Sequence, residues 1–286
     1  MTYRRYYSAR TGKNPHATEL DLPIFLRLFR DLYKSFEAKY YFQEAFGYRC
    51  VDAGDVSGTL GSDIEAQLLR KLRKPDLWPI DDKCKDYSED DLFDVIEFLY
   101  DHTSKPVEGY YHDYGGCGWH YHSFNTEIGR QEWRTQINEF LQDYKDGYEI
   151  SGNGEILALP EKGLENLLGA NLPAHDPQNI ENRVNNAILK FRRYRSSFED
   201  RKDAIRDLAD VLEFLRPKLR LVITKSDEGD LFNIANNFGI RHHNDSQKSD
   251  YDKAIWHSWM FYYYLSTIHA VLRLIEKHEQ SSTNKG

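Results

Sequence analysis

The sequence predicts a mainly α-helical fold, with an N-terminal α+β domain carrying a small β-hairpin over residues 1–172 and a C-terminal four-helix bundle over residues 173–286. Three observations carry this. Apolar residues recur every three to four positions through most of the chain. Residues 148–156 alternate as a strand pair around Gly152, Asn153 and Gly154, the one clear strand signal. A polar stretch around Pro173 and Pro177 separates the two parts and reads as a linker.

Asp21 and Pro23 open the first helical pattern, in which Ile24, Leu28, Leu32 and Phe36 share a face and Gly47 marks the close. Residues 50–61, rich in Gly, Asp and Ser, read as a loop. A helix with Ile64, Leu68, Leu69 and Leu72 stops before Pro75, and a charged loop follows. Ser88 and Asp91 form a capping box for a helix with Leu92, Val95, Ile96 and Leu99. Trp133, Ile137 and Leu141 mark another. In the C-terminal part four helices are expected, around Val184 and Phe191, Ile205 and Leu215, Leu231 and Phe238, and along residues 255–275. The last stretch is long enough to span a bilayer but carries His257, three consecutive tyrosines, His269 and Arg273, so it reads as a core helix. The polar tail from Glu279 is expected to be disordered.

With 286 residues the chain can build cores that need no disulfide staple. Three widely spaced cysteines, Cys50, Cys84 and Cys117, exclude a disulfide framework and fit a reducing cytoplasm without membrane attachment. Net charge is −8, divided as −11 over residues 1–180 (20 Lys and Arg, 31 Asp and Glu) and +3 over residues 181–286 (18 against 15). A surplus of +3 permits contact with a phosphate backbone but falls far short of a dedicated DNA-binding domain.

Residues 241–247, Arg-His-His-Asn-Asp-Ser-Gln, form the most unusual polar cluster of the C-terminal part, at the junction of two expected helices. Arg241 offers a fork of donors for phosphate, and His242 or His243 can move protons near neutrality, a combination suited to metal-independent RNA cleavage. The competing structural reading is a cap in which Arg241 pairs with Asp250 or Asp252. Lys190, Arg192, Arg193 and Arg195 interleave with Phe191 and Tyr194 as an RNA-contacting helix could, or as a solvated helix face does. His112, Cys117, His120 and His122 carry zinc-type donors within eleven residues, but one Cys without a Cys-x-x-Cys partner matches no strong template, so no metal or cofactor is expected. Gly54, Gly58 and Gly61 lack the Lys-Ser/Thr of a phosphate loop and read as flexible chain.

The runs RKDAIRDLADVLEFL, DLFNIANNFGIRHHNDSQKSDYD and IWHSWMFYYYLSTIHAVLRLI, within residues 201–275, resemble the HEPN domains of AbiJ-type abortive-infection proteins of bacteria. The N-terminal runs DLFDVIEFLYDHTSKP, YGGCGWHYHSF and GYEISGNGEI are similar to the domains that accompany those modules. The resemblance implies a sensing or regulatory N-terminal domain that answers a phage-derived or cellular trigger. It also implies a HEPN-like bundle that dimerises and joins two Arg/His motifs into a ribonuclease site acting on RNA. Arg241 matches the motif Arg and His242 its polar position, and Asn244 would hold the phosphate or its neighbours. Where the motif His belongs stand Ser246, Gln247 and Lys248. Either His242 or His243 serves as acid and base, or Gln247 fills the position and the bundle binds without cutting. Glu213 would orient Arg241, or is an exposed helical charge.

Overall fold

A computed structural model describes residues 6–14, 20–173, 176–237 and 251–283. The described residues are mainly helical, 61% helix against 13% strand, and their strands form small antiparallel hairpins. It divides into two compact units between Leu159 and Pro160. The division falls before the stretch around Pro173 and Pro177 because the preceding segment is already tied to the second unit. Ser258 Oγ donates to Glu161, and Leu164, Leu167, Leu168 and Leu172 pack on the second core. Among the described residues no helix is long and apolar enough to cross a membrane.

In the first unit, α1 (Tyr7–Arg10) is a single turn and α2 (Leu22–Ala38) begins where Asp21 accepts a hydrogen bond from the Ile24 amide at 2.9 Å. Its buried face is Phe25, Leu26, Phe29, Leu32, Tyr33 and Phe36. The aromatic rings take the core, leaving Ile24 39% exposed, so the face is rotated from the stripe predicted through Ile24 and Leu28. The helix also stops at Ala38 rather than near Gly47, because Tyr40 turns left-handed at φ 66°. Gly47 closes the separate turn α3 (Gln43–Phe46).

The segment expected to be a loop starts with a hairpin, β1 (Tyr48–Cys50) with β2 (Gly54–Val56). Gly58 is fixed by close approach rather than flexible, since a Cβ there would stand 2.3 Å from the Ala45 carbonyl oxygen. Next come α4 (Ile64–Leu72), the single turn α5 (Ile80–Lys83) inside the charged loop, and α6 (Glu89–His102), opened by the Ser88/Asp91 capping box. Two long strands not signalled by the sequence, β3 (Lys105–His112) and β4 (Gly118–Asn125), form a ribbon ahead of α7 (Thr126–Leu141). The predicted hairpin follows as β5 (Tyr148–Ile150) and β6 (Ile156–Ala158), docked on α7 where Asn138 bonds both the N–H and the C=O of Ile150.

Trp133 of α7, fully buried, anchors the core of this unit. It meets Phe36 at 5.1 Å, Phe42 at 5.9 Å and Phe29 at 6.5 Å between centroids, all near edge-to-face. Its indole N–H donates to the Ile96 carbonyl of α6 at 3.3 Å.

The second unit is helical: the single turn α8 (Glu165–Leu168), then α9 (Asn182–Arg192), α10 (Phe198–Leu219), α11 (Lys225–Asn237) and α12 (Lys253–Thr283). Ser197 and Asp200 cap α10 in a second capping box. Ala204, Ile205, Leu208, Val211, Leu212 and Leu215 present one apolar stripe of α10 to Val184 and Ala187 of α9 and to Met260, Phe261, Tyr264, Leu265 and Ile268 of α12. Phe191 stacks on Phe261 at 4.0 Å, so the predicted membrane-length stretch is a core helix. The tail expected to be disordered is helical as far as Thr283, with Lys218 Nζ 2.9 Å from the Glu279 carboxylate.

Truncating Trp133, or Leu212, which is fully buried in the second core, should unfold the chain more readily. Trp133→Ala is expected to cost about 3–5 kcal/mol and Leu212→Ala about 2–5 kcal/mol, read as a lower urea midpoint for each against wild type.

Candidate functional site

The residues that the resemblance assigns to a ribonuclease motif, Arg241, His242, His243, Asn244 and Gln247, lie outside the described residues. Their flanks are defined. Glu213, on α10, accepts from Arg216 Nη1 at 3.1 Å, one turn along the same helix. Glu228 of α11 receives Arg220 Nε and Nη2 at 3.0 Å and is also bonded by Arg216. These bonds from Arg220 and Arg216 hold its carboxyl down at about 2. The three side chains bind the end of α10 to α11, the helix that leads into the motif segment. His257, the next histidine in sequence, is 2% exposed on α12, with Phe198 and Tyr251 rings about it and its Nε2 3.4 Å from the Tyr251 hydroxyl. Burial pushes its pKa down.

The basic run does not lie on one helix. Lys190 is on α9 and pairs with Asp207 of α10 at 2.6 Å, Arg192 ends α9, and Arg193 and Arg195 follow it in exposed positions. The Arg195 guanidinium lies over the Tyr194 ring at 4.9 Å.

The first unit brings four metal-type donors together: Cys50, His112, Cys117 and His120 each offer an atom, all within 4.8 Å of one another. Each position follows from local structure. Cys50 ends β1, His112 ends β3, Cys117 lies in the turn after β3, and His120 points inward from β4. In the ribbon register His112 pairs with Gly118 and Tyr110 with His120, so the two histidines are diagonal neighbours with ring centroids 5.3 Å apart. Gly115 lets the turns meet, since a Cβ there would stand 2.6 Å from Val51 Cγ1.

Cys50 Sγ is 3.6 Å from His112 Nδ1, and the other ring nitrogen of His112 is 3.2 Å from the Asp52 carboxylate. The Val51 amide donates to Cys117 Sγ at 3.2 Å. His120, 2% exposed, stacks under Tyr48 at 4.2 Å and shares a hydrogen bond of 3.2 Å between its Nδ1 and the Tyr110 hydroxyl. Its Nε2 is buried without a hydrogen-bond partner. Burial, with His112 nearby, pushes the pKa of His120 down, which leaves a ring nitrogen with a lone pair to give.

This set corrects the one read from sequence. His112, Cys117 and His120 belong to it, whereas His122 is exposed. The ribbon pairs Ser123 with Glu108 and Tyr121 with Gly109, which leaves His122 at a bulge without a register partner. Cys50 takes its place from a strand far upstream, where no local spacing could reveal it. Cys84 is fully buried, its thiol 3.9 Å from the Asp81 carbonyl oxygen, and takes no part. His102 is also elsewhere, at the end of α6, where burial and then Lys71, whose Nζ donates at 3.1 Å, push it down to about 4. Comparison with family models, curated proteins and solved structures finds no match to this chain.

The Glu228 network sets a pH test. Its folded pKa of about 2 lies below the ordinary 4.5. The stabilisation is therefore complete above the ordinary value and is lost as pH falls through the range between the two. The urea midpoint of wild type should exceed that of Glu228→Gln near neutrality. The difference should shrink steadily below about pH 5, and a constant difference would contradict the assignment.

Proposed function

We propose that the second unit is a HEPN-like four-helix bundle that cleaves RNA without a catalytic metal, as the effector of an antiphage abortive-infection protein. The first unit senses or regulates in response to a phage-derived or cellular trigger. One observation carries the reading: the Arg241-His242-His243 cluster falls, in chain order, between α11 and α12 of a helical unit, where the resemblance places the ribonuclease motif. In this reading Arg241 holds the scissile phosphate, His242 or His243 takes the 2′-hydroxyl proton and returns one to the leaving oxygen, and Asn244 fixes the phosphate. Two copies of the chain complete the site. Glu213 acts through Arg241 as a positioning residue, and Arg192, Arg193 and Arg195 follow the RNA backbone. Lys190, which pairs with Asp207, lies beside them on α9.

A second reading is favoured by a specific observation. Gln247 stands where the motif His belongs, and the following histidine, His257, is buried on α12. A bundle without that acid and base would dimerise or bind a partner and not cut.

Cleavage of RNA by purified protein, without added divalent metal and with EDTA as a parallel arm, separates the two. The ribonuclease reading expects 2′,3′-cyclic phosphate ends and a loss of about 10²–10⁴-fold in rate in Arg241→Ala and in the His242→Ala/His243→Ala double variant, with the dimer retained. Dimeric wild-type protein that binds RNA or a partner without cutting, or cleavage unchanged in Arg241→Ala, would remove it.

A further inference from the structure

We propose that Cys50, His112, Cys117 and His120 bind one zinc ion as a closed Cys2His2 centre that fastens the β1–β2 hairpin to the turn of the β3–β4 ribbon. Nothing in this depends on the ribonuclease reading.

The first support is dimensional. A tetrahedral zinc with bonds of about 2.3 Å to sulfur and about 2.0–2.1 Å to nitrogen sets its S and N ligands about 3.6 Å apart. Cys50 Sγ and His112 Nδ1 are 3.6 Å apart, and all four donor atoms fall within 4.8 Å. A disulfide between Cys50 and Cys117 would use the sulfurs and leave both rings without a role.

The second support is the orphaned nitrogen. His120 Nε2 is buried with no hydrogen-bond partner, and of the atoms so placed among the described residues it is the one that belongs to the donor cluster. A metal ion is the partner that the neighbouring donors provide for.

The third support is the surrounding shell. A histidine ligand commonly gives its other nitrogen to a carboxylate or hydroxyl, which fixes tautomer and ring orientation. His112 has Asp52 at 3.2 Å and His120 has the Tyr110 hydroxyl at 3.2 Å, each on the nitrogen not needed for the ion. The Val51 amide donates to Cys117 Sγ, a bond that suits a thiolate better than a thiol.

Binding exchanges two thiol protons for one divalent cation, so two thiolates, two neutral imidazoles and zinc sum to zero charge in a partly buried site. Four protein ligands fill the tetrahedron and leave no position for substrate, which makes the centre structural. The ribbon needs it. Of the residues of β3 and β4 only His120 is buried, and a two-stranded hairpin without a core is marginal by itself.

Zinc measured on the full chain after reduction and exchange against excess zinc, followed by desalting, tests this. About one zinc per chain is expected for wild type and for His122→Ala, falling below about a tenth in the Cys50→Ser/Cys117→Ser double variant. Wild type holding less than about a fifth of an equivalent, or full zinc in the double variant, would overturn the proposal. So would a Cys50–Cys117 disulfide persisting in protein kept reduced. Because the double variant can fail to fold, cobalt(II) added to metal-free wild type supplies an independent readout. Intense visible bands of a tetrahedral ion with thiolate-to-cobalt charge transfer are expected, and the faint spectrum of an octahedral, oxygen-ligated ion would overturn it.

Discussion

Edge-on packing around Trp133 is the interaction on which the first unit depends, and its reach extends beyond the core. Phe42, one of the rings against Trp133, also stacks on Tyr33 at 5.4 Å and on Phe46 at 5.4 Å. Its neighbour Gln43 is buried and bonds the β4 backbone twice, to the Trp119 carbonyl at 2.9 Å and from the Tyr121 amide at 2.7 Å. Those two groups bracket His120. The aromatic core therefore sets where β4 runs, and β4 sets the direction of the imidazole that meets Cys50. A chain with 20 Tyr and 15 Phe builds this way because rings bury large areas and fix one another's orientation, each pair adding about 0.5–1.5 kcal/mol beyond its area.

Gln43 holds β4 on either side of His120, close to the turn of the ribbon, and the β1–β2 hairpin meets the ribbon at the same end. There the contacts are polar or aromatic and local: Tyr48 on His120, Val51 against Gly115, the Val51 amide on Cys117. Small contacts of this kind cannot hold two hairpins that are distant in sequence against the chain entropy of joining them. A multidentate tie can, because one ion collects four bonds for a single closure.

How much was legible depended on how far apart the deciding residues lie. Capping residues act over three positions, so Asp21 and the Ser88/Asp91 pair marked their helices correctly. Trp133, Ile137 and Leu141 identified α7 because one helix face is periodic whatever it packs on. The face of α2 was harder: Phe25 and Phe29 outcompete Ile24 and Leu28 for a core made by other elements. The ribbon escaped notice since its strands bury one side chain between them and show no alternation of apolar and polar residues. Three of the four candidate ligands were visible as a local cluster, with His122 added for its spacing. Cys50 was not, as 62 positions separate it from His112 and only the paired hairpins bring them together.

A centre whose four positions are all taken by protein side chains has no place for a phosphate oxygen or an attacking water, so it adds nothing to hydrolytic chemistry where it stands. RNA cleavage of the kind proposed for the second unit draws instead on an Arg and a His, groups that need orientation and a suitable pKa but no ion. The two units accordingly make different demands on the solution. Chelation acts on the folding of the first by drawing away an ion that binds only the folded ribbon, with a force set by metal concentration and affinity. In the second, the chemistry proposed would answer to pH, and the α10–α11 ion network is itself pH-sensitive through Glu228. Slow chelator sensitivity of the whole chain would therefore belong to the hairpins of the first unit and would not by itself make the bundle a metalloenzyme.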